Sequence, residues 1–182
     1  MQKHGPWTIQ ASHEQYQNSF IRVTEDQVIQ PDGELGSYAT VRVPRGVAIL
    51  AIDPQQRVYL TRQFRYALGK ASIEVVSGAI DGDESPLEAA QREAREEMGI
   101  EAKAWTELGV VNLDTSIVQS PVHLFLAQDL NFVESDREGT ETIEPVKSSL
   151  DEAVQSVMNS EITHSASCVL ILKAHYTLNR SA

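Results

Sequence analysis

Residues Gly78 to Ile100 read GAIDGDESPLEAAQREAREEMGI, which puts five glutamates and two arginines into one loop and one helix. The helix is announced by its own ends. Ser85 stands three residues before Glu88, the spacing of a capping box, and Pro86 falls at the first helical position, where a missing N–H leaves nothing unsatisfied. Leu87, Ala90, Ala94 and Met98 recur every three or four residues and predict one narrow apolar stripe for packing on a sheet, with the glutamates lying off that stripe. Gly99 ends the helix, because a residue without Cβ takes the left-handed conformation that a sharp exit into Ile100 needs.

Glu93, Glu96 and Glu97 follow at i, i+3 and i+4, so one helical turn projects three carboxylates together. Like charges at that spacing repel by about 0.2–0.5 kcal/mol per pair. Hard divalent cations such as Mg²⁺ choose oxygen ligands of this kind, so the crowding points to a metal site. The plain alternative is a solvated helix face, since Arg92 and Glu96 are also an ordinary i, i+4 ion pair.

The order of the residues adds to their content. Gly78, Glu84, Arg92, Glu93, Ala94, Glu96, Glu97, Gly99 and Ile100 fit G-x5-E-x7-R-E-U-x-E-E-x-G-U, where U is a bulky aliphatic. This run resembles the signature of the Nudix hydrolase family, and only Ala94 departs, being smaller than the usual aliphatic. The resemblance implies an α/β fold, an α/β/α sandwich around a mixed sheet, and hydrolysis of a nucleoside diphosphate linked to another group with Mg²⁺ or Mn²⁺. It also implies that Glu93 and Glu97 are the principal metal ligands, that Glu96 shares this duty, and that the carbonyl of Ser77, just before Gly78, is a backbone ligand. Arg92 would orient the glutamates through charge-assisted hydrogen bonds, and Glu84 would support the metal shell or the loop. The chemistry asks for such a site whatever the family. A diphosphate is already an anion, so attack by hydroxide is repelled until cations neutralise its oxygens.

Charge and composition agree with a small phosphorylated ligand. The net charge of −11 over 182 residues, without basic clusters, argues against nucleic acid as a partner, whose binding rests on Lys and Arg neutralising phosphates. An apolar content of 41% lets the chain bury a core. The longest apolar run, Val47 to Ile52, is too short to span a bilayer, and the polar N-terminus lacks the apolar stretch of a secretory signal, so no membrane partner and a cytoplasmic location are expected. Cys168 is the single cysteine and lies in CVLIL, which reads as a buried, inert thiol.

Two parts are expected along the chain. Residues 1–44 read as a small N-terminal antiparallel β subdomain, from SFIRVTEDQVIQ, SYATVRV and the turn Pro31-Asp32-Gly33 between them. Residues 45–182 read as the hydrolase domain. There VAILAI is a buried strand, RVYLTRQFRY a second strand, and Ile73 to Val76 a third that leads into the Gly78 loop. Further strands are expected near Trp105 to Asn112, Val122 to Ala127 and Ile143 to Lys147. Helices DEAVQSVM, opened by a second capping box from Ser149 to Glu152, and SASCVLILKAHYTL close the chain.

Beyond the signature, the resemblance narrows to the ADP-ribose pyrophosphatase and nucleotide-sugar hydrolase branch. It rests on the N-terminal β extension, on RQFRY at Arg62 to Tyr66, and on Glu74 with VVSGAID. In that branch the extension helps build a domain-swapped homodimer whose active sites draw on both chains. The resemblance implies that Arg65, with Arg62 beside it, meets the phosphates or terminal sugar of a nucleoside diphosphate sugar, and that Glu74 shapes the site. A guanidinium suits this by its planar fork of donors. A catalytic base is expected in the acidic loop ESDREGTETIEP, where Glu141 resembles the branch's base and Glu138 competes. The five histidines read as structural or exposed, and Trp7, Tyr16, Phe20 and Trp105 as packing groups or as stacking partners for a base. Branch members that act on ADP-ribose carry a Pro-Gly-aromatic element before the HLFLA-like strand. This chain has Asp114-Thr115-Ser116-Ile117 there, which leaves room for a different nucleotide sugar. Two other readings stand beside this one: a nucleoside triphosphate pyrophosphohydrolase, and a non-catalytic nucleotide-sensing module on the same fold.

Overall fold

An apolar residue at every position of Val47–Ile52 means that both faces of this strand are covered, since successive side chains leave opposite faces. The computed structural model, which describes residues 1–135 and 143–180, shows what covers them. The elements in chain order are β1 (Gln2–His4), β2 (Trp7–Gln17), β3 (Arg22–Ile29), β4 (Leu35–Arg42), β5 (Gly46–Ile52), β6 (Arg57–Arg65), a 3₁₀ turn (Tyr66–Leu68), β7 (Lys70–Glu74), β8 (Val76–Ala79), α1 (Pro86–Met98), β9 (Ile100–Asn112), β10 (Val118–Gln119), β11 (Pro121–Phe132), β12 (Glu144–Ser149), α2 (Leu150–Met158) and α3 (Ser165–Arg180).

The chain divides into two compact units. The larger comprises residues 46–111 and 122–182 and holds a mixed sheet in the order β12-β6-β5-β11-β9, with β7 added to β6 and β8 to β5. β5 runs parallel to β11 and antiparallel to β6 and β8. Val47, Ile49 and Ala51 on one face of β5 pack with Ala89, Ala90 and Ala94 of α1. Ala48, Leu50 and Ile52 on the other pack with Leu150 and Ala153 of α2 and with Ala166, Leu170, Ile171 and Ala174 of α3. This is an α/β/α sandwich around a mixed sheet. The fully buried apolar residues of α1 on this side are all alanines, with Met98 packed at their edge, so Ala94, small for the aliphatic position, lies on a face of small residues.

The smaller unit comprises residues 1–45 and 112–121. Its five strands lie in the order β1-β2-β3-β4-β10. The first four pair antiparallel, and β10, which arrives from much later in the sequence, adds in parallel to β4. Gly33, at a φ of 92°, makes the turn between β3 and β4. β9 begins at Ile100, directly after the glycine that ends α1, rather than near Trp105, because Ile100 enters the core at once with 1% exposure. Among the described residues, no helix is long and apolar enough to cross a membrane.

Candidate active site

The signature loop and helix are built by local chemistry. Ser85 Oγ accepts from the Glu88 N–H while the Glu88 carboxylate accepts from the Ser85 N–H, so the capping box is closed in both directions. At the other end Gly99 is left-handed at φ 60°, and a Cβ there would also run into the Val133 carbonyl. Ahead of the helix, Gly78 on β8 passes directly over the Glu93 carboxyl group, and a Cβ at that position would overlap its carbon and both oxygens.

One guanidinium organises the acids. Arg92 donates from Nε to Glu84 at 2.9 Å, from Nη1 to Glu93 at 2.8 Å and to Glu96 at 3.0 Å, and from Nη2 to the Ala79 carbonyl at 2.9 Å. Its hydrogen bond to Glu84 comes first among the interactions that hold it firmly protonated, and burial only partly opposes them. The bond from Arg92 likewise comes first in holding the Glu84 carboxyl below its usual range, and Glu84 in turn accepts the Asp81 N–H at 3.2 Å. Loop and helix are thus pinned together by charge-assisted bonds.

Glu97 corrects the expectation that the glutamates lie off the buried stripe. It is 6% exposed and is buried with Ala89, Ala90 and Ala94, because Ala90, Ala94 and Glu97 are spaced by four and three residues along one helix face. Leu87, placed on that stripe by the sequence pattern, is instead 38% exposed at the solvent end of the helix. Glu93 is nearly buried and Glu96 half-exposed, so the three carboxylates step outward from the core to the surface. Among the described residues, no group of three or more His, Cys, Asp or Glu side chains stands ready to enclose a metal ion. Nη1 of Arg92 takes an oxygen of both Glu93 and Glu96. The donor set itself suits a hard divalent cation, being carboxylate oxygens with a close-passing, side-chain-free backbone at Gly78. Ser77, opposite Ala48 in the β8–β5 ladder, is half-buried next to this glycine.

Arg65 and Glu74 form a second cluster, on the β6–β7 ribbon. Arg65 meets both carboxylate oxygens of Glu74, Nε at 3.1 Å and Nη2 at 2.5 Å. Burial pushes the Glu74 carboxyl up, but the Arg65 bond and the His164 charge outweigh it, and the carboxyl is held below its usual range. Arg62 is not part of this cluster. It lies three positions from Arg65 on the same strand, opposite Ile73, so it leaves the other face of the ribbon. His164 was not singled out by the sequence: its Nδ1 lies 3.4 Å from Glu74 and 2.9 Å from Ser167 Oγ. The only hint was a polar serine inside an otherwise apolar helix run.

Glu141 and Glu138 lie outside the described residues. Trp105 packs edge-on against Phe125 beside the α1 core, and Trp7 edge-on against Tyr38, whereas Tyr16 and Phe20 are exposed. In the Asp114–Ile117 segment, Asp114 Oδ1 accepts from the N–H groups of Ser116 and Ile117 and from the Ser116 hydroxyl, a turn with no proline whose Ser116 and Ile117 carbonyls accept from the Tyr38 hydroxyl and the Val41 N–H of β4. Cys168 is half-buried, donates to the Ile162 carbonyl at 3.2 Å, and is pushed up in pKa by burial.

The chain is similar to known proteins over both of its parts. The NUDIX domain matches residues 42–158, and the nucleoside diphosphate sugar hydrolase N-terminal domain matches residues 7–41. An ADP-ribose pyrophosphatase of Bacillus subtilis is 28% identical over 154 residues, covering 84% of this chain and 83% of that protein. An ADP-ribose pyrophosphatase of Mycobacterium tuberculosis is 29% identical over 162 residues, covering 86% and 77%. In fold, the chain resembles a crystal structure of an ADP compounds hydrolase, with a TM-score of 0.86 at 19% identity over 100% of this chain and 99% of that one. The NUDIX match spans more than half of the sequence and takes in the loop and helix on which Arg92 gathers its glutamates, so the protein belongs to the Nudix family.

Proposed function

We propose that this protein hydrolyses the diphosphate of a nucleotide sugar, ADP-ribose or a close relative, to a nucleoside monophosphate and a sugar phosphate. The observation that carries the reading is the Arg92 guanidinium binding Glu84, Glu93 and Glu96 together beneath Gly78. Glu93, Glu97, Glu96 and the Ser77 carbonyl would hold a divalent cation, Mg²⁺ or Mn²⁺ in its place. When bound, such a cation neutralises diphosphate oxygens and acidifies water. Arg92 keeps the carboxylates from repelling one another before the cation and substrate arrive, and fixes their directions. Arg65, its guanidinium oriented by Glu74, would meet phosphate or sugar oxygens. Arg62 would serve from the other face of the ribbon.

In the reaction, the oxygen of water joins one phosphorus, the bond from that phosphorus to the bridging oxygen breaks, and the bridging oxygen leaves on the second phosphate. The proton of water passes to a base, the role assigned to Glu141. A cytoplasmic homodimer belongs to the same reading. Its support is the likeness of residues 7–41 to the nucleoside diphosphate sugar hydrolase N-terminal domain, together with Tyr16 and Phe20 exposed on that unit.

The test is a product-resolved screen over ADP-ribose, other nucleotide sugars, dinucleoside polyphosphates and nucleoside triphosphates, with Mg²⁺, Mn²⁺ or a chelator. A nucleoside monophosphate and a sugar phosphate are expected, with no turnover under chelation. Inorganic pyrophosphate released from triphosphates as the sole activity would replace this reading with that of a triphosphate hydrolase.

A further inference from the structure

Glu74 is only 2% exposed, yet one of the side chains that face it comes from far along the sequence. His164, one residue before α3, points Nδ1 at both Glu74 Oε2 and Ser167 Oγ, at 3.4 and 2.9 Å. A bare ring lone pair there would face the carboxylate charge, so Glu74 favours the tautomer that carries its proton on Nδ1. Ser167 is fully buried and accepts the Val75 N–H at 3.0 Å. This bond fills a gap, because the β6–β7 ladder ends at Glu74 and the β5–β8 ladder begins at Val76. A buried N–H left between two ladders needs a partner, and α3 supplies it. The buried face of α3 is Ala166, Ser167, Leu170, Ile171 and Ala174, on which Ser167 is the one polar group.

We propose that His164 and Ser167 are positioning residues for substrate binding. His164 steadies the Glu74 side chain, Ser167 steadies the backbone that follows it, and Glu74 in turn fixes the Arg65 guanidinium. The inference rests on the reading of Arg65 as a substrate contact. A guanidinium held by both carboxylate oxygens has given up its rotamer freedom before substrate arrives, so less is lost on binding. Releasing Glu74 removes that preorganisation and weakens ground-state and transition-state binding alike, which appears in KM and leaves kcat in place.

The experiment measures KM and kcat for ADP-ribose with Mg²⁺, and thermal midpoints, for His164→Leu, His164→Gln and Ser167→Ala, each alone and in an Arg65→Ala background. His164→Leu is expected to raise KM about tenfold, the order of one lost polar contact to a carboxylate, with kcat little changed. His164→Gln, which keeps an N–H donor, restores most of the loss. Ser167→Ala, a small change within the core, shifts KM in the same direction. None of the three raises KM further once Arg65 is alanine. If Arg65→Ala raises KM and neither His164→Leu nor Ser167→Ala does, the positioning role is refuted while the substrate contact stands. Equal rises with and without Arg65 refute action through that residue. An unchanged KM in Arg65→Ala refutes the contact itself, and the positioning role with it.

Discussion

Replacing Gly78 by alanine isolates the contact between the signature loop and its helix. Gly78 does not need left-handed backbone, so the substitution acts through space and not through strain. The added Cβ would overlap the Glu93 carboxyl carbon and both of its oxygens. Reaching ordinary van der Waals contact would require the carboxylate to withdraw by about 1 Å or more. Withdrawal of the Glu93 carboxylate disturbs its 2.8 Å bond to Arg92, since both belong to one network. Overpacking of this kind destabilises by about 1–3 kcal/mol. A misplacement of about 1 Å at a reacting centre lowers turnover by about 100-fold. The assay is release of sugar phosphate from ADP-ribose with Mg²⁺, read beside a urea denaturation curve. Turnover within about twofold of the parent in a folded Gly78→Ala variant would falsify the claim that the loop and Glu93 form one site, a loss of 1.4 kcal/mol being already about tenfold.

Three further outcomes follow from the same geometry. Glu97→Gln keeps the volume of a side chain that is 6% exposed but removes its charge; turnover should fall by about 100-fold or more while the far-ultraviolet circular dichroism spectrum stays that of the parent. Ser85→Ala opens the capping box of α1 and should lower stability by about 1 kcal/mol in urea, with KM unchanged. On acidification the protein should lose stability in two stages. His164, lowered by burial from its ordinary 6.5, contributes stability that is lost as pH falls from that value through its folded pKa, and Glu74, lowered from 4.5, does the same below 4.5. His164→Gln should flatten the upper stage and Glu74→Gln the lower, each read from thermal midpoints between about pH 3 and 8.

Some of this was legible before any coordinates. Helix α1 could be read from end to end because its signals are local: Ser85 and Glu88 are three residues apart, and Gly99 follows the last turn. The apolar strand β5 and the two closing helices are legible for the same reason, as are the strands that flank the Pro31-Asp32-Gly33 turn. The helical period also places Glu93, Glu96 and Glu97 in one neighbourhood, but not their depths. Periodicity ranks residues by hydrophobicity, so it set Leu87 inside and Glu97 outside, and the packing of an alanine face against β5 reversed both.

The sequence by itself determined where the secondary structure starts and stops in the hydrolase signature, and that Glu93, Glu96 and Glu97 share one helical turn, because capping, turning and helical phase act over four residues or fewer. Only the tertiary structure decided what depends on residues far apart. β10 joins β4 across more than seventy positions, Ser167 closes a gap at Val75, and His164 stands beside Glu74. It also separated Arg62 from Arg65, neighbours in the sequence, because strand alternation sends them to opposite faces once the β6–β7 register is set. Long-range pairings of this kind are chosen by burial and by unsatisfied polar groups seeking partners, and neither leaves a mark on any short stretch of chain.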